Sequence, residues 1–204
     1  MVCLGNICRS PLAEGILQEK ARTAGLDWKV DSAGTTSYHI GEAPHHLSQK
    51  VARINGVDIS RQRARAFNAN DFQRFDKIYA MAGDVLDQIR RIAGKQYDPS
   101  KVELLLNELH PGANEDVPDP WYGPEPGYHE VYQLIDAAAD RIIERYGSVA
   151  SAGNAQSVAD PTNTLTAASA INTQSAGTSI SSNPDTPVPQ SVSSGGANSQ
   201  SLKI

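Results

Sequence analysis

Apolar and polar positions alternate along residues 1–146 in blocks that predict strands followed by helices. Short apolar runs predict strands, whereas apolar residues at helical spacing predict helices. In the last block, for example, Val131, Ile135, Ala138 and Ile142 form one apolar stripe. The predicted strands cover residues 28–34, 76–83 and 101–106, and the predicted helices cover residues 11–24, 44–55, 84–94 and 128–146. Repeated alternation of this kind predicts an α/β fold: a single domain with a small central parallel sheet of about four strands flanked by helices.

The first predicted helix is bounded by residues that favour helix ends. Ser10 is a good N-cap, Pro11 suits the first helical position, and Gly25 follows the last predicted turn. A strand-to-helix turn therefore comes just before this helix. Because parallel sheets place their ligands at the carboxyl ends of strands, this turn is a candidate ligand site.

The composition of the chain changes near Tyr146. From Ser148 onwards the chain consists mainly of Ser, Ala, Asn, Thr, Gln, Gly and Pro, has no aromatic residue or cysteine, and carries few charges. Such a segment buries too little apolar surface to offset the entropy cost of ordering it. We therefore predict a domain over residues 1–146 and a disordered low-complexity tail over 147–204. A docking or modification tail is the alternative.

Composition and charge narrow the range of functions. The 204-residue chain has a formal net charge of -5, which gives no general attraction to nucleic acid or to an anionic membrane. No apolar run approaches the ~20 residues that span a bilayer, and no signal-peptide pattern is present, so we expect a cytoplasmic location. The two cysteines lie close together, and in a reducing compartment they favour thiol chemistry over a structural disulfide.

Residues 3–10 have the sequence CLGNICRS and contain both cysteines. Backbone N–H groups at the start of a helix, together with the helix dipole, favour anions at such a turn. Gly5 allows the loop to curl, Asn6 can hold it by side-chain hydrogen bonds, and Arg9 matches two phosphate oxygens with its planar fork. In this positive field the thiolate of Cys3 is favoured, which makes it a candidate nucleophile towards a bound phosphate.

Covalent phosphoryl transfer also requires a general acid. Residues 116–122, DVPDPWY, supply the candidates. Asp119 lies between two prolines that stiffen the loop, and Trp121 and Tyr122 offer aromatic walls for a phenolic substrate. Asp116 is the alternative acid, and a turn-forming Asp119 or core positions for the two aromatic residues are also open. No G-x-x-x-x-G-K-[ST] phosphate loop occurs, which disfavours nucleotide hydrolysis.

These motifs resemble those of the low molecular weight protein tyrosine phosphatases. The similarity covers about residues 1–146, through VCLGNICRSPLAE, DSAGT, DISRQRAR, YAM and DVPDPWY. The resemblance implies that Cys3 is the nucleophile, Arg9 binds the phosphoryl group and Asp119 is the general acid. It also implies that Ser10 stabilises the thiolate and that Asn6 orders the loop. The predicted substrate-binding residues are Leu4, Gly5, Asn6, Ile7, Cys8, Ser10, Tyr38, Trp121 and Tyr122.

The function implied by the resemblance is hydrolysis of protein tyrosine phosphate through a cysteinyl-phosphate intermediate. A phosphotyrosine protein is then the substrate and partner, and no metal or other cofactor is needed. The neighbouring His39, His45 and His46 have no cysteine or carboxylate at ligand spacing, so we predict solvated positions for them. A phosphotyrosine-binding module with impaired catalysis is the alternative from another class. Arsenate reduction is less favoured because it needs cysteines beyond Cys8. The sequence does not indicate the oligomeric state.

The resemblance has three further implications. Cys8 can form a reversible disulfide with Cys3, although a packed thiol is equally consistent with the sequence. Gln62 stands where some family members carry a histidine bonded to the loop. Family members also have several apolar residues before the nucleophile, whereas only Met1 and Val2 precede it here. We therefore expect a truncated first strand whose neighbours have unpaired backbone groups, at a cost on the order of 1–3 kcal/mol for each buried group.

Overall fold

A central sheet of four parallel strands organises the fold, in the order β2-β1-β3-β4. The structure is a computed structural model that describes residues 1–152 and 201–204. It confirms the predicted α/β domain with a small parallel sheet and flanking helices. The strands are β1 (Val2–Cys3), β2 (Ala33–Gly34), β3 (Ile78–Ala80) and β4 (Val102–Leu104).

Five α-helices are present in the described residues. They are α1 (Arg9–Thr23), α2 (His46–Ile54), α3 (Asp71–Arg74), α4 (Gly83–Ala93) and α5 (Glu125–Ala152). Short 3-10 helices cover Gly94–Gln96 and Leu105–Glu108. Four of the helices lie where the apolar pattern predicts them. The exception is α3, which is too short to give a helical period in the sequence.

The buried side chains form one apolar cluster on each face of the sheet. Met1 and Cys3 belong to the cluster that also contains residues of α1 and α5, such as Leu12 and Ile135. Val2 belongs to the other cluster, which includes residues of α3 and α4. Consecutive residues of β1 therefore contribute to opposite layers, as strand geometry requires.

The loop between β1 and α1 leaves the sheet at the position where the strand order of the sheet reverses. In β1, Val2 pairs with Ala33 of β2 on one side and with Ala80 of β3 on the other. The chain passes from β1 into α1, whereas β3 continues into α4 on the other face. A crevice at the carboxyl ends of strands is the usual ligand position in such sheets.

The predicted disordered tail needs correction at both of its ends. Helix α5 continues beyond Tyr146 to Ala152. Residues 201–204 lie beside the sheet, where Lys203 forms a parallel bridge with Lys29 and Ile204 is buried. Composition does not reveal this placement because backbone pairing with a distant strand depends little on side-chain type. Residues 153–200 lie outside the described part of the chain, and there the tail stays a prediction.

No helix in residues 1–152 or 201–204 is both long enough and apolar enough to cross a membrane.

Candidate active site

The loop between β1 and α1 is held in shape by the side chain of Asn6. This residue has a φ of 57°, in the left-handed region that asparagine tolerates better than most residues. Its amide nitrogen donates to Ser10 Oγ at 2.9 Å and to Ser32 Oγ at 2.8 Å. Its amide oxygen accepts from the backbone nitrogen of Arg65 at 2.9 Å. One buried side chain thus ties the loop to α1 and to two other segments.

Backbone contacts fix the rest of the loop. Gly34 packs so closely that an added Cβ would lie 2.9 Å from Leu4 O and 3.1 Å from Asn6 N. The outer side of the loop is held through its carbonyl groups, which accept hydrogen bonds from neighbouring segments. The bonds run from Thr35 N to Cys3 O, from Thr36 N to Leu4 O, from His45 N to Ile7 O and from Ser48 Oγ to Cys8 O.

The sulfur of Cys3 lies at the base of this loop, at the carboxyl end of β1. Asn6 N donates to Cys3 Sγ at 3.2 Å, and Ser10 Oγ lies 3.0 Å from the same sulfur. The N-terminus of α1, which begins at Arg9, adds positive potential through its free N–H groups and its dipole. The sulfur of Cys3 therefore lies among polar groups at the positive end of a helix.

Arg9 and Asp119 form an ion pair beside the sulfur. Arg9 Nη2 donates to Asp119 Oδ2 at 2.7 Å, and Arg9 Nη1 donates to the carbonyl of Val117 at 3.2 Å. The arginine is buried, whereas the side chain of Asp119 is 41% exposed. The other oxygen of this carboxylate accepts from the backbone nitrogen of Trp121. The structure therefore brings together two residues that lie far apart in the sequence.

Asp116, the other predicted acid, has a different position. Its Oδ1 accepts from the backbone nitrogen of Gly83 at 2.8 Å. Gly83 is the first residue of α4, and the preceding Ala82 provides no side-chain cap. The carboxylate therefore satisfies a free N–H group at a helix N-terminus, where negative charge is stabilising. In the described residues Asp119, and not Asp116, lines the cleft with the loop.

A cleft of about 260 Å³ opens above the loop. It brings together most of the residues predicted from the sequence, although Asn6 and Ser10 lie buried behind the loop rather than on its wall. The rim is aromatic: Tyr38 is 82% exposed, Tyr122 96% and Trp121 38%. The lining residues are Cys3, Leu4, Gly5, Ile7, Cys8, Arg9, Tyr38, His39, Asp119, Trp121 and Tyr122.

His39 is a cleft residue that the sequence analysis placed in solvent. Its ring lies 5.6 Å from that of Trp121, and its Cδ2 would be 3.0 Å from a Cβ on Gly5. Its Nδ1 lies 2.9 Å from Glu42 Oε2. The adjacent Tyr38 was the only sequence signal that could have indicated this position.

The three neighbouring histidines do not form a metal site. His45 stacks on the Tyr128 ring at 5.3 Å and lies 5.3 Å from the Trp121 ring, while His46 lies against His45. Among the described residues no group of three or more histidine, cysteine or carboxylate side chains is arranged to hold a metal ion.

Cys8 differs from Cys3 in its surroundings. Its Sγ lies 3.9 Å from Tyr128 Oη, and both cysteines are free thiols. Burial raises the pKa of the Cys8 thiol to about 12. Cys8 is therefore protonated at neutral pH and is a poor nucleophile. Its disulfide with Cys3 stays a prediction.

A buried polar group lies behind Asn6. Ser32 Oγ, which accepts from Asn6, donates to Glu14 Oε2 at 2.6 Å. Burial raises the pKa of Glu14 above its usual range, against the opposing effect of the Ser32 bond.

Gln62 stands where some family members carry a histidine bonded to the loop. Its side chain lies against α1, where its Nε2 would be 3.6 Å from a Cβ added to Gly15. The loop asparagine is instead bonded to the backbone of Arg65.

Comparisons with known proteins point to one family. The family model described as low molecular weight phosphotyrosine protein phosphatase matches residues 1–151. The low molecular weight protein-tyrosine-phosphatase YfkJ of Bacillus subtilis is 38% identical over 144 residues, which cover 70% of this chain and 90% of the relative. The low molecular weight phosphotyrosine protein phosphatase of Schizosaccharomyces pombe is 38% identical over 139 residues, covering 66% of this chain and 88% of the relative.

Solved structures give the same result. The crystal structure of YfkJ superposes with a TM-score of 0.67 at 36% identity and covers 72% of this chain and 92% of its own. Wzb of Vibrio vulnificus, solved in complex with benzylphosphonate, superposes with a TM-score of 0.64 at 28% identity, covering 71% of this chain and 94% of its own.

Proposed function

The chain belongs to the low molecular weight phosphotyrosine protein phosphatase family, and from this premise we propose that it hydrolyses phosphotyrosine in proteins through a cysteinyl-phosphate intermediate on Cys3. The observation that carries the proposal is the position of the Cys3 sulfur. It lies beneath an anion-favouring loop, where Asn6 N donates to it, Ser10 Oγ lies 3.0 Å from it, and the Arg9–Asp119 pair lines the same cleft.

In the first step the Cys3 thiolate attacks phosphorus. A sulfur–phosphorus bond forms while the bond from phosphorus to the tyrosyl oxygen breaks. The loop N–H groups and the fork of Arg9 hold the equatorial phosphoryl oxygens as charge moves onto them. The phosphate dianion competes with Asp119 for the Arg9 guanidinium, which frees the Asp119 side chain to act as the general acid. Asp119 gives its proton to the leaving tyrosyl oxygen.

In the second step water replaces sulfur on phosphorus. The carboxylate of Asp119 takes a proton from the attacking water, an oxygen–phosphorus bond forms, and the sulfur–phosphorus bond breaks to release phosphate. Ser10 Oγ, at 3.0 Å from Cys3 Sγ, stabilises the departing thiolate by donating a hydrogen bond. The cycle returns the Cys3 thiolate and the protonated Asp119 with which it began.

The aromatic rim supports phenolic phosphates as the substrate class. Tyr38, Trp121 and Tyr122 line the same cleft as Cys3 and are exposed at its rim. A flat phenyl ring can stack on such rings while its phosphate reaches the loop. Wzb, a structural neighbour, was solved with benzylphosphonate, which also combines a phenyl ring with a phosphorus oxyanion. The binding-module alternative has no such support, since the relatives named above are phosphatases.

The proposal is tested with two substrates that differ in their leaving groups. We expect Cys3→Ser to abolish turnover of both p-nitrophenyl phosphate and a phosphotyrosine peptide. Asp119→Asn should slow the peptide by about 10²–10⁴-fold, and p-nitrophenyl phosphate less, because nitrophenolate leaves without a proton. Asp116→Asn is the matched control and should retain turnover of both substrates. Equal losses in the two aspartate variants would contradict the role of Asp119, and an active Cys3→Ser enzyme would contradict the covalent mechanism.

A further inference from the structure

We infer that residues 201–204 form the first part of strand β1, so that the strand carrying the nucleophile is assembled from two segments distant in the sequence. This inference goes beyond the proposed function, because it concerns what holds the nucleophile in place. Sequence composition assigns residues 201–204 to a disordered tail, whereas in the structure they lie between the segments that lead into β2 and β3.

The backbone of this segment is paired on both sides. Towards β2, Lys29 N donates to Leu202 O, Ile204 N donates to Lys29 O, and Asp31 N donates to Ile204 O, each at 2.9 Å. Towards β3, Asp76 N donates to Lys203 O at 2.9 Å. The segments that lead into β2 and β3 were expected to have unpaired backbone groups beside a truncated β1. Residues 202–204 pair with these groups instead. A pattern bonded on both sides is that of an interior strand.

The hydrogen bonds also define the register between the segment and Met1. Along one edge, Lys29, Asp31 and Ala33 donate in turn to Leu202, Ile204 and Met1. In a parallel ladder, a step of two residues on one strand matches a step of two on its neighbour. Met1 therefore stands two positions after Ile204, and a single strand position separates them.

Side-chain direction supports the same register independently. Ile204 and Met1 belong to one apolar cluster, and Val2 belongs to the other. Residues two positions apart on a strand share a face, so Ile204 and Met1 must be separated by one position or another odd number of positions. The face opposite Ile204 borders a narrow cavity whose lining includes Val2, Phe75 and Ile78, where the side chain of an intervening residue would lie.

The occupant of this slot is the segment of the same chain. Covalent connection keeps residues 201–204 at a local concentration far above that of a second copy in dilute solution. The slot also suits this particular sequence. Ile204 is 1% exposed and Leu202 is half-buried against the same core, whereas Lys203 points outward. Ser201 Oγ donates to Asp27 O at the entry to the slot.

Point variants test the docking without removing the strand. We expect Ile204→Asp to increase the unfolding equilibrium constant by more than about tenfold, because it buries a charge in the core. Lys203→Ala is the matched control and should change it little, since only the backbone of Lys203 enters the ladder. Hydrogen exchange should show protected amides at Asp31 and Ile204 in the parent chain. Rapid exchange at both amides, or equal stability of the two variants, would overturn the inference.

A circular permutant tests the register. In it, residue 204 is joined to residue 1, and the chain is opened between residues 176 and 177. With one valine as the joining residue, we expect an enzyme at least as stable as the parent, with kcat for p-nitrophenyl phosphate within about twofold. With no joining residue, the side chains before the junction turn to the wrong faces, and stability should fall by more than about tenfold in the unfolding constant. Failure of the valine-joined chain, or equal stability of the two, would overturn the assignment.

Two readouts keep this inference distinct from the proposed function. Amide protection and unfolding do not depend on turnover, so an inactive parent chain would contradict only the phosphatase mechanism. Sedimentation of the parent chain distinguishes the source of the segment. We expect a monomer at micromolar concentration. A dimer that dissociates when Ile204→Asp is introduced would assign the slot to a second copy and overturn the intramolecular placement.

Discussion

Replacing Asn6 separates the two ways in which this residue stabilises the loop between β1 and α1. One contribution is conformational: at a φ of 57° an alanine is disfavoured by about 1–2 kcal/mol, whereas glycine is not. The other comes from the bonds of its amide group to Ser10, Ser32 and Arg65. At about 1 kcal/mol each, three buried hydrogen bonds contribute about 3 kcal/mol.

The expected losses in the free energy of unfolding follow from these two contributions. Asn6→Ala should lose about 4–5 kcal/mol, and Asn6→Gly about 1–2 kcal/mol less, because only the conformational cost is relieved. Such losses are a large part of the total stability of a domain, which is about 5–15 kcal/mol. Both variants should have a lower kcat, because Ser10 loses the Asn6 bond that holds it beside Cys3.

Urea unfolding followed by tryptophan fluorescence measures these differences, since Trp28 is buried in the core. Asn6→Asp serves as a further control, because it keeps the acceptor for Arg65 N and the tolerance of a positive φ but cannot donate to the two serines. A loss below about 1 kcal/mol in Asn6→Ala, or identical stability of the alanine and glycine variants, would refute this reasoning.

Two other variants test neighbouring features. Gly34→Ala places a Cβ against the backbone of the loop, so we expect it to lower the free energy of unfolding by about 1–3 kcal/mol and to lower kcat. Gly127→Ala is the control and should not destabilise the domain, because there is free space around its Cβ. Equal effects of the two variants on unfolding and turnover would contradict this reasoning. Glu14→Gln should raise stability at pH 7, because the raised pKa of the folded carboxyl costs stability as the pH rises above the ordinary value for glutamate. The gain should vanish below that value, and a pH-independent difference in unfolding free energy would exclude this cause.

The helices were predictable from their apolar spacing and from the glycines that follow them. The helix predicted over residues 11–24 is observed over Arg9–Thr23, with Cys8 and not the predicted Ser10 at the N-cap, and the one predicted over 84–94 is observed over Gly83–Ala93, where Gly94 has a φ of 51°. Capping residues and apolar spacing act within a few residues and can be recognised in one segment. The extension of α5 to Ala152 carries no apolar stripe and was missed.

The site was predictable to the extent that it is contiguous. Cys3 and Arg9 belong to one short loop, so their proximity follows from the motif. The contact between Arg9 and Asp119 needed the resemblance to a family, since no local rule joins such distant residues. His39 and Arg65 reach the site through loop paths that depend on the packing of the whole domain.

The division of β1 between distant parts of the chain affects the order of events during synthesis. Cys3 is made well before residues 202–204, which supply the backbone that continues its strand towards Lys29. At about 5–20 residues per second, the ribosome needs roughly 10–40 s to make the intervening chain. During that time the segments that lead into β2 and β3 lack this partner, and they resemble the exposed strand edges on which chaperones act. The strand that contains Cys3 is thus completed only after the rest of the sheet has been made.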